Sequence, residues 1–132
     1  MLTRRTFVLA AACALPQAAF AYRMEKFSPS LWDRVKDSDD VVILNFRASW
    51  SMTCQIKQEL LADALAHNPG YARLTIIDVD WDTYGPSQVV QRLKVERRST
   101  LLVMKGGREV ARLVNEPYAR RIRALLDTAM TA

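Results

Sequence analysis

Cysteine, histidine and glycine are scarce in this chain of 132 residues, which holds two, one and four of them. One histidine and two separated cysteines supply no Cys/His cluster at metal-ligand spacing, so no metal centre is expected. His67 beside Asn68-Pro69-Gly70 reads as a solvated helix end. The four glycines form no phosphate-cradling loop, and no paired-carboxylate motif stands out. Basic residues interleaved with exposed aromatics, the pattern of a nucleic-acid stripe, are also missing. No cofactor and no nucleic-acid partner are therefore expected. An apolar run, Phe7 to Ala14, is too short to span a bilayer.

That run belongs to a segment with the build of an export signal. Arg4 and Arg5 make a charged start, and Ala19-Phe20-Ala21 fits a small-x-small cleavage pattern, which predicts cutting before Tyr22. Pro16 and the absence of a polar face argue against a core helix there. Thr3-Arg4-Arg5-Thr6-Phe7-Val8-Leu9 resembles the twin-arginine signal that carries folded proteins out of bacteria. The expectation is a cleavable signal over 1–21, one domain over 22–132, a periplasmic location, and membrane contact only during export. Losing Arg4 and Arg5 lowers the net charge from +5 to about +3, a mild excess read as a solvated surface. Losing Cys13 leaves Cys54 as the sole thiol, which permits no internal disulfide.

The remaining chain alternates strand and helix patterns. Tyr22 to Phe27 is a possible edge strand, and Ser28-Pro29 is an N-cap with proline at the first helical position, opening a helix to about Lys36. Val41 to Phe46 and Leu74 to Val79 are apolar runs of the kind buried on both faces of a sheet. Between them the pattern predicts a helix from Met52 to His67, with Ile56, Leu60, Leu61, Ala64 and Leu65 on its inner stripe. Gly85-Pro86-Ser87 opens a short helix carrying Val89, Val90 and Leu93. Thr100 to Met104 and Glu109 to Val114 flank Lys105-Gly106-Gly107-Arg108, a hairpin signal. Pro117 is expected to start a final helix with Ile122, Leu125, Leu126 and Ala129 facing inward. The order β-α-β-α-β-α-β-β-α implies an α/β domain with a mixed central sheet and helices on both faces.

Two segments carry a resemblance. The strand ending in Phe46-Arg47-Ala48-Ser49-Trp50-Ser51-Met52-Thr53-Cys54 is similar to the thioredoxin active site, where a tryptophan precedes Cys-x-x-Cys at a helix start. Arg98-Ser99-Thr100-Leu101-Leu102-Val103-Met104-Lys105-Gly106-Gly107 resembles the Pro-Thr-Leu segment of the same family. The resemblance covers all of 22–132 and implies a single-domain thioredoxin fold whose partners are exported protein thiols or disulfides.

It also marks three departures. Ser51 stands where the family has its nucleophilic first cysteine, and a serine hydroxyl forms no disulfide. Asn45 stands where the family has a buried acid and cannot titrate. Ser99 stands at the cis-proline, and since a cis peptide before a non-proline residue costs about 2.5–4 kcal/mol, Arg98-Ser99 is expected to be trans. Three coordinated losses read as natural divergence rather than a single engineered trap, and ordinary dithiol reduction is expected to be weak or absent. Asn45→Asp and Ser99→Pro, added to Ser51→Cys, are expected to restore activity stepwise.

Cys54 then has three readings: a small buried core residue, a monothiol that forms mixed disulfides, or a peroxide-reactive thiol. In the last, Ser51-x-x-Cys54 resembles the peroxiredoxin spacing and Arg47 or Arg98 would orient the peroxide. Trp50, Met52, Thr53, Arg98, Ser99 and Thr100 are the residues expected to shape the surface around it. A binding or adaptor module that keeps the groove without the chemistry is the alternative function. Trp32 and Trp81 read as packing residues, Trp81 near the active-site end of its strand.

Overall fold

The computed structural model describes residues 23–132. The export-signal reading over 1–21, Cys13 with it, lies outside the described residues. Eleven elements follow in order: β1 (Arg23–Lys26), α1 (Pro29–Lys36), β2 (Val41–Arg47), α2 (Met52–His67), a 3-10 turn (Pro69–Arg73), β3 (Thr75–Asp80), α3 (Trp81–Tyr84), α4 (Gln88–Arg92), β4 (Thr100–Lys105), β5 (Arg108–Val114) and α5 (Ala119–Thr131).

The sheet runs β1-β3-β2-β4-β5. Its first three strands are parallel, β4 is antiparallel to β2, and β5 returns antiparallel to β4. The strands read as apolar runs are the central ones, because a strand covered on both faces needs apolar side chains on both. One face packs Ile43, Ile76, Leu101 and Val103 against Leu61 and Leu65 of α2 and Ile122 and Leu126 of α5. The other packs Val42, Leu44, Phe46, Ile77 and Leu102 against Leu31 and Trp32 of α1 and Val90 of α4. Trp32 is therefore a core residue, as expected, and Trp81 is half-buried against the second cluster. Among the described residues no helix is long and apolar enough to cross a membrane.

Helix starts follow their caps. The Ser28 hydroxyl accepts from the Leu31 amide at 3.1 Å ahead of Pro29. Ser87 accepts from the Val90 amide and starts α4 one residue after Pro86, while Trp81–Tyr84 adds a helical turn absent from the pattern-based order. The last helix begins at Ala119, two residues beyond Pro117, after a turn in which Asn115 takes a φ of 51°.

One sequence expectation fails in α2. Ile56 is exposed and Leu60 only half-buried, whereas Cys54, Lys57, Leu61, Ala64 and Leu65 face inward. Those positions repeat at helical spacing from Cys54, so the face that packs is fixed by its other members and includes a lysine. An apolar-only reading rotates the stripe by one residue.

The hairpin turn closes as its sequence requires, with φ of 56° at Gly106 and 75° at Gly107. A Cβ at Gly107 would also lie 2.8 Å from the Lys36 carbonyl, which ties the turn to the end of α1. Gly107→Ala is expected to lower stability by about 1–2 kcal/mol or more, read as a lower urea midpoint with unchanged slope.

Candidate functional site

The central strand β2 delivers the chain to the site. After Arg47 the backbone leaves the sheet through Ala48, Ser49 and Trp50, and Ser51 caps α2. The Ser51 hydroxyl accepts from the Cys54 amide at 3.3 Å, so this serine serves the helix start. Cys54 is 2% exposed. Its sulfur receives the Ala48 amide at 3.4 Å and lies 3.7 Å from the Arg98 carbonyl, to which the thiol donates. The thiol is thus enclosed between the strand it follows and the loop that enters β4.

That loop carries the third departure. The Arg98-Ser99 peptide is trans, as expected of a serine there. Ser99 is buried and its carbonyl accepts the Asn115 amide at 2.7 Å, and the buried Thr100 hydroxyl donates to the Arg97 carbonyl at 2.6 Å. These bonds hold the loop down, so the Arg98 carbonyl faces Cys54. The Arg98 guanidinium lies 4.5 Å from the centre of the Trp50 ring.

Trp50 is 63% exposed and Met52 69% exposed, with Thr53 half-buried behind them. Trp50 is held by its indole N–H, which donates to Asp82 at 2.8 Å, while the Ser49 hydroxyl donates to the other oxygen at 2.9 Å. These bonds, Ser49 first, hold the Asp82 carboxyl below the usual range. Asp82 went unnoticed in the sequence. Its signal was Asp80-Trp81-Asp82 at the end of the strand adjacent to β2.

Under the loop lies a polar group inside the sheet. Asn45 is fully buried, donating to Gln58 of α2 and to Asp78 of β3, each at 3.0 Å. Its Oδ1 has no partner, a desolvation cost of about 1–3 kcal/mol in the described structure. Asp78 sits in register with Asn45 and also binds Arg47 at 3.3 Å. An acid is therefore present one strand away from where the family places it. This corrects the expectation for Asn45→Asp: a carboxylate at 45 would meet the Asp78 carboxylate, and two such groups in contact cannot both ionise freely.

Lys57 is the second residue the sequence reading missed. It is 3% exposed, and its amine donates to the Phe46 carbonyl. Burial lowers its pKa from 10.5 to about 8; the Cys54 sulfur opposes the shift, the Arg47 charge adds to it, and Asp78 opposes it. Arg47 is committed to Asp78 and Arg98 to the Trp50 ring, so neither arginine of the peroxide reading bonds the sulfur. Among the described residues no group of three or more His, Cys, Asp and Glu side chains could hold a metal. His67 lies exposed at the end of α2 against Asp63.

The sequence model of the family described as Thioredoxin matches residues 24–128. A relative from Oryza sativa subsp. japonica, Thioredoxin H2-1, is 27% identical over 84 residues, which is 64% of this chain and 57% of that protein. Among solved structures, Trxlp from Edwardsiella tarda EIB202 superposes with a TM-score of 0.68 at 24% identity, covering 78% of this chain and 97% of its own. The Malassezia sympodialis thioredoxin (Mala s 13) gives 0.69 at 20% identity, covering 83% and 93%.

The burial of Lys57 has a direct thermodynamic consequence. Its folded value lies below the unfolded one, so the unfolded chain holds more protons between about pH 8 and 10.5, and stability rises with pH across that window. Lys57→Met should be more stable than the parent by about 3 kcal/mol at pH 7. The difference should shrink as pH approaches 10, which denaturation of both proteins across pH will measure.

Proposed function

Because this chain belongs to the thioredoxin family, we propose that it handles thiols and disulfides of exported proteins through the single sulfur of Cys54. The supporting observation is the placement of that sulfur in the first turn of α2, with its amide capped by Ser51 and a buried amine one turn along the same face. The thiolate attacks a partner disulfide, a new S–S bond forms at Cys54, and the partner's second sulfur leaves as a thiolate. Ser51 offers no sulfur to resolve the adduct. Release therefore requires a thiol from outside, either another cysteine of the partner or a small thiol, and dithiol turnover is absent.

The export-signal reading of 1–21 favours a periplasmic setting for this chemistry, in which an unpaired cysteine acts between molecules. The exposed Trp50 and Met52 beside the enclosed sulfur supply the surface on which a partner peptide rests. The same contrast, an open apolar rim over a thiol only 2% exposed, favours a second reading: an adaptor that binds peptide without using Cys54.

The two readings separate on one substitution. In the full chain carrying Cys13→Ser, Cys54 should form a mixed disulfide with glutathione disulfide, seen by mass, and Cys54→Ala should abolish it. Insulin reduction with dithiothreitol should not exceed the Cys54→Ala control. Native protein in which Cys54 takes no adduct would sink the monothiol reading and leave the adaptor.

A further inference from the structure

We infer that Lys57 is the proton-holding partner of Cys54: its amine takes the proton when the thiol ionises, in the role that Asn45 cannot fill. The inference rests on the monothiol reading and adds the residue that makes the sulfur usable.

Cys54 and Lys57 are three residues apart on α2, neighbours on one helix face with Cβ atoms about 5–6 Å apart, and both are buried. Lys57 is the only buried charged side chain among the described residues, and its recorded hydrogen bond goes to a backbone carbonyl rather than to an acid. A lysine retained in such a place costs stability, which a methionine of similar length would not. The charged groups acting on it come from three elements: Cys54 of α2, Arg47 of β2 and Asp78 of β3. Asp78 is already engaged by Arg47 and Asn45. On the same face β4 and α5 present apolar side chains, Leu101, Val103, Ile122, Leu125 and Leu126. The sulfur is thus the titrating group on its own helix, one turn away, whose negative form a protonated Lys57 favours.

The step balances without any further reagent. The S–H bond of Cys54 breaks and an N–H bond forms on the neutral amine, giving a thiolate beside an ammonium. The thiolate attacks a partner disulfide, and the sulfur that leaves carries the electron pair and receives a proton from the ammonium, returning Lys57 to its neutral form. The pKa near 8 keeps both forms of the amine accessible close to neutral pH, where a solvated lysine would be fixed as the ammonium. Lys57 touches no partner, so its role is to position charge and proton for the sulfur that does.

The test uses the full chain with Cys13→Ser and the small disulfide dithiodipyridine, whose reaction with Cys54 is followed by the released chromophore. The parent rate should rise with pH through a step near pH 8. Lys57→Met should react about tenfold more slowly at pH 7 and lack that step, although it is the more stable protein, an outcome that a merely structural lysine would not give. In Cys54→Ala, the Lys57 side-chain titration followed by NMR should fall to lower pH, because the sulfur that favours the ammonium is gone. If Cys54 reacts but Lys57→Met keeps the parent pH profile, or if the Lys57 midpoint ignores Cys54→Ala, the inference is overturned while the proposed function stands. A parent thiol that does not react with dithiodipyridine at any pH overturns the proposed function and this role together.

Discussion

The packing of the inner face of α2 on the central sheet is the constraint on which the site depends, and Lys57, bonded to the Phe46 carbonyl, lies within that face. Leu61, Ala64 and Leu65 pack against Ile43 of β2 and set how the helix is rotated over the strand. With Lys57 inward, Cys54 lies one turn earlier on the same face and meets Ala48, while Ser51 falls at the cap. Rotating the helix to bury Ile56 instead would carry the sulfur away from the Arg98 carbonyl. A buried lysine is poor evidence of stability, since desolvation opposes it.

The three changed family positions have been absorbed in different physical ways. Ser51 exchanged nucleophile for cap. Ser99 kept its loop close to the thiol by trans geometry and hydrogen bonds, so a backbone carbonyl faces the sulfur where the family exposes an edge to its substrate. Asn45 lost its charge, yet an acid and an amine remain nearby in Asp78 and Lys57, neither at the position the family uses.

The order of elements and the mixed sheet were legible because they follow from apolar periodicity, caps and turn glycines: β2, β3, the Gly106-Gly107 hairpin and Ser28-Pro29 all stand where their residues put them. Ser51, Asn45 and Ser99 were marked as departures from a family pattern, and Trp50 and Cys54 as positions that keep it. Lys57 was not, because a lysine on a helix reads as solvated and the apolar stripe could be drawn through Ile56. Asp78 was masked by the apolar run around it, although strand register sets it beside Asn45. Asp82 needed the third dimension, since only folding carries the start of α3 to Trp50. The helix start at Ala119 was misplaced because proline at 117 marks where a helix is permitted, and the chain turns once more before it begins.

The account requires an enclosed sulfur to reach a partner, so the central question is how Cys54 becomes exposed. Its rate of reaction with a small disulfide, measured in the native protein through increasing urea below the unfolding transition, separates two routes. Opening of the Arg98-Ser99 loop alone exposes little surface and predicts a rate nearly independent of urea. A rate that climbs with urea in step with global unfolding would mean that the thiol is met only in the unfolded chain, and Cys54 would then be a core residue and not the working sulfur of the site.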